Sequence, residues 1–275
     1  MDGGAPLPKP VPAGSYDPVA FRSNAYFRFF CFMFAQRAAS GMRAMRIASW
    51  GMPKVAPGTP LVIFANHPSW WDGVMFPLLA KRLFHPRPIF VPMDAEAFAR
   101  YGFMKRFGAF PVEQGSARGA VGFLHTAGAI LAKPSHMLWM NAPGRFVDPR
   151  VRPQPISPGL VRLPEIAEAA TFVPLALEYP FWAEPKAELL GAFGDPIPGT
   201  VLRAMGRDDR ADALGAALHA TMDRLAEDAQ SRDPARFVTL QQGRQGMGGI
   251  YDVWRRTKAL LGGRGFDPRH DPGAR

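Results

Sequence analysis

The sequence predicts an α/β fold: a mixed, largely parallel sheet flanked by helices, with an N-terminal amphipathic helical segment. Three observations predict it. Short, continuously apolar runs recur at residues 60–65, 136–140 and 171–177, and runs of that length without alternation read as strands buried on both faces. Stretches of helical length and pattern stand between them, which is the alternation of an α/β domain. At 275 residues, 47% hydrophobic and 20% charged, the chain is long and apolar enough to fill such a core.

In chain order, residues 1–17 are rich in Pro and Gly and read as a flexible arm. Residues 18–50 read as helical, with a break at Ser40-Gly41. Strand 60–65 runs into a loop and a helix over 71–83. Strand 88–92, helix 95–106 and strand 107–112 follow. Helix 119–132 carries the small residues Gly119, Ala120, Ala127 and Ala129, which allow close packing. After strand 136–140 comes a Pro/Arg-rich loop over 141–158, then helix 164–170 and strands 171–177 and 188–193. Residues 208–230 and 246–261 read as helices, the second basic. Residues 243–252 are glycine-rich, but with no strand expected before them they read as a link into the tail rather than a nucleotide loop. The domain division is 1–17, 18–50, an α/β domain over 51–200, and a helical, basic extension over 201–275.

Charge and composition narrow the partners. Thirty-three Lys and Arg against 23 Asp and Glu give +10, an excess that calls for an anionic partner. No zinc-finger spacing or RNA-binding aromatic motif supports nucleic acid. Phe21, Tyr26, Phe27, Phe29, Phe30, Phe32, Met33 and Phe34 are mixed with Arg22, Arg28 and Arg37. That mixture suits a helix lying among anionic lipid headgroups; a helix packed on the core is the alternative, and the two are compatible. No run reaches the roughly 20 apolar residues that a spanning helix needs, and the first twenty residues lack a signal-peptide core. The single cysteine, Cys31, rules out an internal disulfide. The expected location is the cytoplasmic face of the cell membrane, peripheral or monotopic.

The segment Ala65-Asn66-His67-Pro68-Ser69-Trp70-Trp71-Asp72 carries the chemistry. It sets a histidine where a buried strand ends and a carboxylate where a helix begins, and α/β proteins place ligands at such carboxyl ends. If Asp72 folds back on His67, it fixes the imidazole tautomer and frees the other nitrogen as a base. On these residues alone, Asp72 as a helix cap and His67 as a loop histidine stays open. Pro68-Ser69-Trp70 is no hydrolase elbow.

This segment resembles the N-H-x-S-x-x-D form of the H-x4-D motif of the glycerolipid acyltransferases, the superfamily that contains the 1-acylglycerol-3-phosphate acyltransferases. The resemblance implies His67 as general base and Asp72 as the group that orients it. It extends over about 120 residues. Tyr101-Gly102-Phe103 through Phe110-Pro111-Val112 stands for the second block, whose arginine is missing from Val112-Glu113-Gln114; Arg118 is the candidate substitute, a solvated arginine at a helix start being the alternative. Met140-Asn141-Ala142-Pro143-Gly144-Arg145-Phe146 stands for the third block, F-P-E-G-T-R, keeping the arginine as Arg145 and losing the glutamate. Ser157-Pro158-Gly159-Leu160-Val161 resembles the glycine-led helix start, and Thr171-Phe172-Val173-Pro174-Leu175-Ala176-Leu177 the fourth block, V-P-V.

What the resemblance implies is transfer of a fatty acyl group from acyl-CoA or acyl carrier protein to a lipid hydroxyl, such as that of 1-acylglycerol-3-phosphate. Arg145, Arg118 and Arg150, with Arg152 near them, are the candidates for the acceptor's anionic head. Backbone N–H groups near Gly144 are the oxyanion candidate. Trp70, Phe110 and Val173 are the candidate acyl-pocket residues, and Trp71 reads as core. No metal or organic cofactor is required; His85, His125 and His136 are scattered, without an H-E-x-x-H. The absent glutamate leaves other acceptors open, a lyso-ornithine lipid or a glycosylated isoprenoid among them. A non-catalytic membrane-binding module is the reading from another class.

Overall fold

A computed structural model describes residues 16–244. The elements run α1 (Pro18–Phe21), α2 (Asn24–Gly41), β1 (Ala44–Ala48), β2 (Leu61–Ala65), α3 (Asp72–Leu83), β3 (Ile89–Asp94), α4 (Ala95–Arg100), β4 (Ala109–Val112), α5 (Ala117–Leu131), β5 (Met137–Asn141), α6 (Pro158–Ile166), β6 (Thr171–Glu178), β7 (Glu188–Phe193), β8 (Ile197–Pro198), α7 (Gly199–Ala204), α8 (Arg207–Ser231) and β9 (Phe237–Gln242). The strands form one sheet in the order β4-β3-β5-β2-β6-β7-β1-β9, with β8 paired to β6. From β4 to β6 every pairing is parallel, and β7 and β1 are parallel to each other. The β6–β7, β6–β8 and β1–β9 pairings are antiparallel. The sheet is therefore mixed and largely parallel, as the buried apolar runs require.

Strand β2 lies near the middle of the sheet and shows how the core is divided. Leu61, Ile63 and Ala65 pack on one side with Val74 and Met75 of α3 and Phe27 and Cys31 of α2. Val62 and Phe64 point the other way, toward Phe123 of α5, Leu160 of α6 and Leu218 of α8. All five β2 residues are fully buried, so the strand contributes apolar area to both layers.

Four expectations are corrected. The helix expected over 18–50 ends at Gly41, and residues 44–48 form a strand inside the sheet. Arg46, a polar residue in a short run, continued the helical pattern; in the fold it is 8% exposed and paired to Glu188 at 3.0 Å. The extension after residue 200 is likewise not wholly helical, because β9 pairs with β1. Residues 18–50 and the C-terminal part thus each contribute a strand to the common sheet. Helix 95–106 breaks at Tyr101 into a 3-10 turn over Gly102–Phe107 that ends on Gly108 at φ 105°, a left-handed conformation suited to glycine. The helix expected at 164–170 lies at Pro158–Ile166, where the glycine-led start was expected.

Strand β9 also precedes residue 243 directly, although no strand was expected there. The arm up to residue 15, the helix expected at 246–261 and most of the glycine-rich stretch lie outside the described residues.

Candidate active site

The site is built where β2 leaves the sheet. Asn66 is fully buried and takes over the strand's pairing with its side chain: its Nδ2 donates to the Leu177 carbonyl at 3.0 Å, and its Oδ1 accepts the Leu177 N–H at 2.8 Å. An amide side chain has both a donor and an acceptor, so it extends a ladder that the departing backbone abandons. His67 comes next, its carbonyl accepting the Val147 N–H at 3.0 Å. Ser69 shapes the turn, with Oγ accepting the Trp71 N–H at 3.2 Å and its carbonyl accepting the Asp72 N–H at 3.1 Å. Asp72 then opens α3 and faces back toward His67.

The two meet directly. His67 Nδ1 lies 2.5 Å from Asp72 Oδ2, with the aspartate fully buried and the histidine side chain 17% exposed. Oδ2 also accepts the Ser69 N–H at 3.4 Å, and Oδ1 accepts the Tyr179 hydroxyl. The cap position of α3 is Trp71, which caps with no side-chain bond, so Asp72 serves the histidine and not the helix end. Burial pushes the Asp72 carboxyl up from the usual carboxylate range, while the hydrogen bonds from His67 and Tyr179 pull it back. Burial, then the neighbouring Asp72, holds the Tyr179 phenol well above its ordinary value, so it acts as a donor. A carboxylate only accepts, so His67 donates from Nδ1 and leaves Nε2 as a lone-pair base.

Phe146 stacks on the imidazole, with ring centroids 4.1 Å apart and planes 27° apart, and is itself 61% exposed. Trp70, also 61% exposed, meets Trp71 edge-on at 5.8 Å. Trp71 is partly buried beneath the Arg37 guanidinium, 5.0 Å from its ring. One exposed ring, that of Phe146, therefore stacks on a half-buried base, and Trp70 stands exposed three residues along the same turn.

The other expected residues divide. Arg145 and Arg118 are exposed and have no hydrogen-bond or ion-pair partner among the described residues. The loop that leads into α5, on whose first turn Arg118 stands, is tied to the Arg145 loop by Gln114 Nε2, which donates to the Gly144 carbonyl at 3.4 Å. Arg150 is instead forked onto Asp148 through Nε and Nη2, at 2.9 and 2.6 Å. Arg152 is held by Asp223 at 2.7 Å. The Gly144 N–H is given to the Asn141 carbonyl at 3.1 Å, which removes it as a free oxyanion donor. Phe110 and Val173 are fully packed core residues in the layers on opposite sides of the sheet, so they do not line one pocket. Trp70 is on the surface and joins neither.

The sequence reading missed Tyr179, the role of Asn66 and the stacking of Phe146. Asn66 stood in the motif and signalled its importance without its partner; Tyr179, 107 residues from Asp72, gave no local signal.

Residues 46–178 match the family model described as Acyltransferase, a segment that ends one residue before Tyr179. Among solved structures, the chain is similar to the 1-acyl-sn-glycerophosphate acyltransferase PlsC from Thermotoga maritima, at 11% identity and a TM-score of 0.46, over 71% of this chain and 78% of that one. No curated protein matches the chain.

Proposed function

We propose that this chain, whose residues 46–178 match the family model described as Acyltransferase, is an O-acyltransferase moving a fatty acyl group from an acyl-CoA or acyl carrier protein thioester to a hydroxyl of a lipid acceptor. The observation that carries this reading is the buried carboxylate 2.5 Å from His67 Nδ1, which leaves Nε2 as the base of a ring stacked on the exposed Phe146.

In the proposed reaction the acceptor hydroxyl binds at Nε2. As its oxygen attacks the thioester carbonyl, the proton passes to Nε2, and Asp72 stabilises the resulting imidazolium. The tetrahedral intermediate collapses, the carbon–sulfur bond breaks, and the imidazolium returns the proton to the departing thiolate. The products are an ester and a free thiol. Arg145 and Arg118, free of partners among the described residues, suit an anionic acceptor head such as that of 1-acylglycerol-3-phosphate. The outer face of α2, with Phe29 and Phe32 each 57% exposed, suits attachment to an anionic membrane surface on its cytoplasmic side.

The test is thiol release from palmitoyl-CoA with a panel of acceptors: 1-acylglycerol-3-phosphate, a lyso-ornithine lipid and a glycosylated isoprenoid. Acceptor-dependent release that falls roughly 10²–10⁴-fold in His67→Ala is the expected result, the span that general-base assistance supplies. Release without any acceptor identifies a thioesterase. Folded protein that releases no thiol from CoA or carrier-protein donors leaves a non-catalytic membrane-binding module in place of the enzyme.

A further inference from the structure

The sequence motif explains why His67 and Asp72 stand together, but not what holds the carboxylate in the rotation that serves the histidine. The carboxylate of an aspartate turns about its Cβ–Cγ bond with a broad, two-fold preference. A single hydrogen bond to one of its oxygens leaves that rotation loose. Here both oxygens are engaged: Oδ2 by His67 and the Ser69 N–H, Oδ1 by the Tyr179 hydroxyl. Among the described residues Tyr179 is the one donor to Oδ1, and Asp72 is too deeply buried for bulk solvent to take its place.

Tyr179 comes from the far end of a different strand, just beyond the last residue of β6. Its position is set by the Asn66 side chain, which grips the N–H and carbonyl of Leu177 two residues earlier. One loop therefore supplies three consecutive functions. Asn66 fixes the end of β6, His67 supplies the ring, and the turn through Ser69 returns Asp72 to meet both the ring and the phenol.

We propose that Tyr179 is a positioning residue of the catalytic pair, its phenol holding the Asp72 carboxylate in the rotation that turns Oδ2 to His67, with the Asn66 clamp on Leu177 setting the strand end from which it reaches. Its effect on turnover rests on the acyl-transfer reading; its effect on the resting protein rests on the geometry alone. With the carboxylate held, His67 keeps its neutral-state proton on Nδ1 and presents Nε2 to the acceptor. Without the phenol, the carboxylate turns and the imidazole samples the other tautomer, whose Nε2 carries a proton and is no base.

The experiment uses the full chain and Tyr179→Phe, which removes the hydroxyl and keeps the ring. Nitrogen-15 spectra of the neutral His67 imidazole, assigned by the signals lost in His67→Ala, are recorded for both proteins. The wild type is expected to carry its proton on Nδ1, and Tyr179→Phe to show a measurable share of the Nε2–H tautomer. In the acyl-transfer assay with palmitoyl-CoA, kcat is expected to fall roughly 10-fold with KM little changed, the scale of one hydrogen bond to a charged group. Leu218→Ala, in the fully buried core contributed by α8, is the control: it lowers Tm and leaves the tautomer as in wild type. The proposal is overturned if Tyr179→Phe keeps the wild-type tautomer, or if Leu218→Ala moves it equally. If the wild type transfers no acyl group to any acceptor, the functional reading fails, and the tautomer comparison still decides the role of Tyr179.

Discussion

Asp72 serves the histidine at a cost to the fold. Burial raises its carboxyl above the ordinary range, so at neutral pH its ionised form is less favoured in the native protein than in the unfolded chain. For a carboxyl raised on folding, stability is fully present below the unfolded value and is lost as pH rises through the native one. Asp72→Asn removes that titration. The expected outcome is a Tm at neutral pH equal to or above wild type, with the advantage vanishing in acid, while kcat falls roughly 10³-fold or more through loss of the correct tautomer. Thermal unfolding across pH beside the thiol-release assay checks both halves; a variant that loses Tm and keeps kcat contradicts them. His67 and Asp72 were legible because five residues separate them and both belong to one turn. The roles of the arginines were less so. Arg145 and Arg150 look alike as sequence, and only the fold shows that Asp148 takes the second and leaves the first.

At the scale of elements, Glu165 joins α6 to α8. Its Oε1 accepts from Arg207 Nε at 2.8 Å and Arg210 Nη1 at 3.1 Å. Arg210 is 2% exposed and also donates to the carbonyls of Val161, Leu202 and Met205, so one guanidinium binds α6 and α7 to its own helix. The hydrogen bond from Arg207, above all, holds the Glu165 carboxyl down from 4.5 to about 2. The sign is opposite to that of Asp72: stability from a depressed carboxyl is present above 4.5 and lost as pH falls toward about 2. Glu165→Gln is therefore expected to unfold below the wild-type Tm near neutrality, with the two midpoints converging in acid. A difference that stays constant with pH would mean that packing, not charge, separates them. The same scale shows which elements sequence could reveal. Strands buried on both faces, such as β2 and β6, announce themselves as unbroken apolar runs. Strand β1 did not, since Arg46 interrupts it and finds Glu188 and Thr239 only across neighbouring strands. Nor did β9, an edge strand left largely exposed along its length, whose polar end reads as loop.

Over the whole molecule, the parallel strands β2, β3, β4 and β5 end at one edge of the sheet, and the loops leaving β2 and β5 carry the base, the exposed rings of Trp70 and Phe146, and Arg145. Helix α2 covers the same layer of the core as α3, burying Phe27, Cys31 and Ala38 and turning Phe29, Phe32 and Met33 outward. The N-terminal aromatics thus divide between a packed inner face and an exposed outer face of one helix. No helix among the described residues is long and apolar enough to cross a membrane. Removing residues 1–50 is an unsuitable test, because it deletes β1 from between β7 and β9. Phe29→Ser combined with Phe32→Ser leaves the core intact, since both rings are 57% exposed. Sedimentation with vesicles containing phosphatidylglycerol should retain the wild type at low salt and release it progressively as salt screens the +10 charge. The double variant should bind roughly 10-fold more weakly or worse, from the apolar area it no longer inserts, with an unchanged Tm. Wild type that stays in the supernatant at low salt would remove the membrane from the proposal. Retention that salt abolishes equally in both proteins would assign attachment to the basic residues and leave the aromatic face for another occupant.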